Sequence, residues 1–197
     1  MTDDKARVRR GRAQFLLLAL LFIGPLLAAW VLYFGHDGWK PRGTTNHGIL
    51  VQPPVPLPES RFAGSGPEGS DGGLKGRWTM LYLDGGDCGE QCLRALDLSA
   101  RIRLALGRRM VRIQRVYVAE GAVPDLPESQ ADLMIAAGSR PDLAPLLAAL
   151  PPGMPRDGSE ILLVDPLGNL MMRFPLDGDP KGMLEDIRKL LRLSSIG

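Results

Sequence analysis

Apolar positions along the chain fall into short blocks parted by polar, glycine and proline residues, and each block carries a recognisable period. Residues 13–34, AQFLLLALLFIGPLLAAWVLYF, contain no charge. As a helix rising 1.5 Å per residue, they are long enough to cross a hydrocarbon layer of about 30 Å. Residues 78–83 (WTMLYL) form a continuous apolar run stopped by Asp84-Gly85-Gly86, the pattern of a buried strand. Residues 91–106 follow with apolar rows at Leu93, Leu96, Ala100 and Leu104 and at Leu98, Ile102 and Ala105, which predicts a helix ended by Gly107. Residues 111–119 are rich in β-branched side chains and read as a second strand, 133–136 as an edge strand, and 141–150 as a short helix opened by Pro141. Residues 161–164 and 170–174 flank Asp165-Pro166-Leu167-Gly168-Asn169, a hairpin turn. Residues 181–193 make a last amphipathic helix with Leu184, Ile187, Leu190 and Leu191 inward. This order predicts an α/β domain with a mixed sheet covered on both faces.

Four segments result. Residues 1–12 are a basic, cytoplasmic N-terminus, and 13–34 a transmembrane anchor. Residues 35–73 are a Pro/Gly-rich flexible tether from which 49–51 or 61–63 can be recruited into the sheet, and 74–197 are the folded domain. The 197 residues carry 24 basic and 22 acidic side chains. Lys5, Arg7, Arg9, Arg10 and Arg12 all precede the apolar run, so the rest of the chain has no positive excess with which to neutralise phosphates, which argues against a nucleic-acid partner. Basic residues stay on the cytoplasmic side of a span, which in a bacterium places the anchor in the inner membrane and the domain in the periplasm. The uncharged run exceeds a typical signal-peptide core, and Ala28-Ala29 is followed by further apolar residues, so an uncleaved anchor is expected.

The two cysteines, Cys88 and Cys92, lie between the first strand and the first helix of the domain, at the carboxyl edge of the sheet where open α/β folds place their sites. A helix N-terminus favours a thiolate there, while Asp84, Asp87 and Glu90 oppose one. A spacing of four brings the Cα atoms to about 6 Å, within range of a disulfide. Two thiolates on one face can equally close on a soft ion, Cu(I) foremost. The extra intervening residue departs from the two that thioredoxin-type oxidoreductases use.

The run Lys75-Gly76-Arg77-Trp78-Thr79-Met80-Leu81-Tyr82-Leu83 with Cys88-x-x-x-Cys92, and the later Ile161-Leu162-Leu163-Val164-Asp165-Pro166-Leu167-Gly168-Asn169, resemble the strand, cysteine loop and hairpin of the Sco family. These are membrane-anchored proteins that support copper-centre assembly in cytochrome c oxidase. The resemblance implies a thioredoxin-like fold, copper as cofactor, a cytochrome oxidase subunit as partner, and Cys88 and Cys92 as Cu(I) ligands or as a redox dithiol. The chain diverges from the family in two places. Asp157, Gly158 and Ser159 stand where the family's histidine ligand is expected, and Leu93 replaces the proline after the second cysteine. Its histidines, His36 and His47, both fall in the tether. Met154, Met171 and Asp157 are conceivable third ligands, each with an ordinary packing or turn role. The competing reading is a binding module in which Cys88 and Cys92 form a structural disulfide.

Overall fold

The computed structural model describes residues 3–34, 45–64, 72–85, 88–119, 126–137 and 143–196. They form two units, 1–45 and 46–197. The first unit is helix α1 (Asp3–Phe34), within which Arg10–Val31 is long and apolar enough to cross a membrane. Pro25 lies inside this helix, where a soluble helix would be broken but a bilayer helix tolerates it.

The second unit is built on one eight-stranded sheet. Its strands are β1 (Ile49–Pro56), β2 (Arg61–Gly64), β3 (Gly72–Gly73), β4 (Trp78–Asp84), β5 (Ile113–Ala119), β6 (Leu133–Ala137), β7 (Glu160–Val164) and β8 (Asn169–Pro175), in the order β1-β8-β7-β4-β5-β6-β2-β3. β4, β5 and β6 are parallel and the other pairings antiparallel. Helices α2 (Glu90–Ala105) and α4 (Pro180–Leu193) supply the core of one face through Cys92, Leu96, Ile102, Met183, Ile187 and Leu191. Helix α3 (Leu143–Ala149) supplies the other through Leu143 and Leu146. Central β4 is therefore buried on both sides, which is why it reads as an unbroken apolar run.

Four expectations change. The segment taken as a tether through residue 73 contributes β1, β2 and β3, so the compact unit starts at Asn46; residues 35–44 lie outside the described residues. Backbone pairing of β1 with β8 and of β2 with β6 outweighs the proline signal because β1 is an edge strand and its register shifts between Leu50 and Val55, around Pro53-Pro54. Residues 133–137 are not at an edge, since β2 covers β6. The buried face of α2 is Cys92, Ala95, Leu96, Ser99 and Ile102, leaving Leu93 and Leu104 outside. The helix is turned so that Ser99 Oγ and Leu96 O meet the buried Arg115 and Cys92 joins the core. Residues 107–112, expected in part as strand, form a 3-10 turn, and Pro141 lies outside the described residues.

Ser99 serves a buried cation. Arg115 on β5 is 1% exposed and donates from Nε to Ser99 Oγ (3.0 Å), from Nη1 to Asp132 Oδ1 (2.7 Å), and from Nη2 to Leu96 O (2.8 Å) and to Gln130 Oε1. Asp186 of α4, also buried, accepts from the backbone N–H of His47 (2.7 Å) and of Gly48 (2.8 Å). The point at which the chain joins the fold is thereby fixed to the last helix. Replacing Arg115 by Ala takes the buried donor from Gln130 Oε1 and one of two cations from Asp132, and leaves Ser99 Oγ and Leu96 O only each other below α2. Denaturant unfolding should show a loss of about 3–5 kcal/mol, the cost of breaking a buried charge network from one side.

Candidate functional site

β4 ends and α2 begins at the carboxyl edge of the sheet, so the connection between them has its chemistry at the sheet's rim. Cys88 precedes the helix N-cap Gly89, and Cys92 lies in the first turn. They are joined in a disulfide with Cα atoms 5.0 Å apart. That is closer than a helical spacing of four gives, because Cys88 stands outside the helix. Cys92 is 2% exposed and belongs to the core beneath α2, whereas Cys88 is half-buried at its margin. Cys88 is thus the more exposed of the two.

The carboxylate of Asp84, the last residue of β4, lies with both sulfurs in a group whose ligand atoms are all within 4.8 Å of one another. Asp84 Oδ2 accepts from the Tyr117 hydroxyl at 3.3 Å. The ring of Tyr117 stacks on Tyr82 at 5.9 Å between centroids, and the Tyr82 hydroxyl donates to Gly158 O at 3.0 Å. Burial first, and then the charge of Asp84, hold both phenols far above the ordinary tyrosine range, so each remains a donor. Gly158 has φ +73°, and a side chain there would collide with the Tyr82 hydroxyl. The corner where the Sco histidine is expected is closed to any side chain at 158. Asp84 Oδ1 lies 3.6 Å from where that side chain would begin.

The sequence-expected candidates divide accordingly. Cys88 and Cys92 are together, joined by Asp84, which composition suggested only as an opposing charge. Met154 and Met171 pack against the two cores on opposite faces of the sheet. Asp157 is exposed; the Ser159 hydroxyl first and the Ser159 N–H second hold its carboxyl below the usual range. His47 is at α4, where its Nδ1 is 3.3 Å from Asp186 Oδ1. His36 and Asp87 lie outside the described residues. A groove of about 660 Å³, lined by neither cysteine, runs between Gln91, Arg94 and Leu98 of α2 and Ser159, Glu160 and Leu176. Gln91 Nε2 bridges its mouth to Asp157 O at 3.3 Å. Signals for Asp84 were present in one respect: it is the first polar residue after a buried strand, at the edge where sites form.

Comparison with known proteins agrees with this geometry. The model of a family described as a transmembrane-like, thioredoxin-like C-terminal domain matches residues 78–194, and a companion transmembrane-like N-terminal domain matches residues 5–36. No curated protein matches the chain in sequence. Among solved structures, ScoI of Bradyrhizobium japonicum with copper bound is similar at 15% identity and a TM-score of 0.52, covering 68% of this chain and 99% of that one. Yeast Sco1 with copper bound is similar at 14% and 0.54, covering 72% and 91%. BsSco, described as a Sco-family cytochrome c oxidase assembly protein with a disulfide switch, is similar at 12% and 0.51, covering 74% and 99%. At such identities the likeness is one of fold, and the resemblance drawn from the cysteine loop and hairpin holds at that level.

The stacked tyrosines carry a pH dependence. A phenol whose pKa is raised on folding contributes stability that is complete below the unfolded value of about 10 and is lost as pH climbs above it. Alkaline titration should show unfolding above about pH 10, with Tyr82 and Tyr117 ionising only as the fold opens. Tyr117→Phe should shift that transition upward. A smooth phenolate titration with the fold intact would contradict this.

Proposed function

The chain belongs to the transmembrane-like, thioredoxin-like family, and from that premise we propose that it is a membrane-tethered, periplasmic thiol-disulfide protein acting in the assembly of a respiratory oxidase copper centre. Cys88 and Cys92 form its redox pair. The observation that carries this reading is the asymmetry of the bridge: Cys88 half-buried at the margin of the core, Cys92 buried in the first turn of α2.

In the exchange, a client thiolate attacks Cys88 Sγ. The Cys88–Cys92 bond breaks, and Cys92 leaves as a thiolate at the helix N-terminus, where unpaired N–H groups and the helix dipole stabilise it. A second client thiolate then attacks the client's own sulfur in the mixed disulfide. The client gains a disulfide, and the pair gains two electrons and, with protons from water, becomes a dithiol. The same step in reverse reduces a client.

In this form the sulfurs are bonded to each other and offer no thiolate to a metal. Reduced, they give the soft two-sulfur donor set that suits Cu(I), with Asp84 as the neighbouring oxygen. A bound copper ion would supply the cargo for the partner's metal centre. Cys88 and Cys92 would hold it, and redox state would decide whether they can. Copper-bound relatives of the same fold support this extension. The orientation of the anchor, with the arginine-rich N-terminus inside, follows from the positive-inside rule.

The burial of Cys92 favours a second reading, a fixed structural bridge, and one experiment separates the two. The protein is equilibrated with graded dithiol–disulfide buffers, and the reduced form is titrated with Cu(I) under a competing chelator. Reduction by mild dithiols with the fold intact, and one copper per chain that is lost in the Cys88→Ser, Cys92→Ser variant, is the expected result. Asp84→Asn removes a like charge from beside the emerging thiolates and should favour the dithiol by roughly two- to fivefold. A bridge that withstands such buffers, with copper bound equally by the variant, would establish the structural bridge instead.

A further inference from the structure

The end of the domain opposite the disulfide has a composition that nothing above uses. Residues 98–112 and 187–197 contain no acidic side chain. The structure brings these two segments together: Arg188 Nη2 donates to Ala105 O at 2.8 Å, and Arg112 donates to the carbonyls of Leu191, Ser194 and Ile196. Arg108, Arg109, Arg188 and Arg192 are exposed around this junction. So are large apolar side chains: Leu104 at 64%, Val111 at 64%, Leu193 at 73% and Ile196 at 51%. Arginines ringing exposed Leu, Val and Ile form a surface with positive charge for headgroups and apolar groups for the acyl boundary. Asp97, one turn before, is already paired with Arg101 at 2.7 Å, and Glu185 lies earlier on α4.

We propose that this end of the domain docks on the surface of an anionic phospholipid bilayer. The inference rests on the membrane reading of α1. The candidate span ends about a dozen residues before the domain begins, so a bilayer is the surface met at the highest effective concentration. Cys88 and Cys92 lie at one end of α2 and the patch at the other; sixteen residues of helix separate them by about 24 Å. Docking would therefore turn the disulfide away from the lipid, toward the extramembrane part of a partner.

The test uses the full chain in lipid nanodiscs of phosphatidylcholine alone or mixed with phosphatidylglycerol, read by amide hydrogen exchange. Exchange in 107–112 and 194–196 should slow severalfold in the anionic discs only, while α2 near Cys92 stays unchanged as control. High salt, or the Arg108→Glu, Arg109→Glu variant, should abolish the difference, since each arginine near an anionic leaflet is worth roughly fivefold in attachment. Leu193→Ser, Ile196→Ser should weaken it with charge unchanged. Equal exchange in both disc types overturns the proposal. Slowing by soluble polyglutamate without any lipid effect overturns it in favour of an acidic protein partner. A chain that fails to enter discs at all removes the membrane reading of α1 and the proposal with it, whatever the redox experiment shows.

Discussion

The placement of the cysteines depends on the burial of Arg115. A guanidinium in a low-dielectric interior costs several kcal/mol unless each donor finds an acceptor, and here Ser99, Leu96, Gln130 and Asp132 supply them. Burial lowers the pKa of Arg115, and the charge of Asp132 opposes that shift. Leu96 and Ser99 belong to α2, so satisfying the cation fixes the rotation of that helix about its own axis. Once the rotation is set, Cys92 must face the core four residues before Leu96, and Cys88, just outside the helix, must come to the rim. Arg103 reinforces the same register by donating to Ile113 O and pairing with Asp132.

Around the disulfide the electrostatics oppose negative charge more than they invite it. Asp84 is the nearest carboxylate, held in place by the Tyr117 hydroxyl, and the tyrosines are kept neutral by burial. A thiolate released at Cys92 is favoured by the helix terminus and disfavoured by Asp84. Closing a loop this short adds only about 2 kcal/mol by chain entropy, and Arg115 and the apolar face of α2 already fix the helix. The chain-entropy gain from the bridge is thus small beside the contacts that Arg115 and the buried face of α2 make, as the proposed redox role needs.

Much of this was legible in the sequence, and the failures share a cause. Elements whose own periodicity meets the core were readable: the apolar run of β4, the hairpin of β7 and β8, and the stripe of α4. The rotation of α2 was not, because it is decided by Arg115, a cation twenty-three residues beyond Cys92 whose burial no local pattern announces. For β1 and β2 the recruitable cores, 49–51 and 61–63, were readable but their full extent was not, since prolines and glycines there mimic a tether, while the backbone groups that recruit them belong to β8 and β6. The cysteine pair was legible from spacing and position. Asp84 as its neighbour required the tertiary turn that brings the end of β4 beside the start of α2.

The same reasoning bears on how the chain enters the domain. Had 35–73 been a free tether, the disulfide could sample a large volume above any membrane. Asp186 ties the start of the compact unit down: its carboxylate takes the N–H groups of His47 and Gly48, and Gly182 leaves no side chain where the His47 ring rests. The first residues of the compact unit are thus fixed to the middle of α4, and β1 continues directly into the sheet. What connects the candidate span to the fold is then short, and an entropic cost of reach that would scale with a forty-residue linker scales with about a dozen instead. A short connection raises the effective concentration of the domain at the bilayer. On the proposed docking, a modest surface affinity from a few arginines and exposed apolar side chains would then be enough to set the direction in which the disulfide faces.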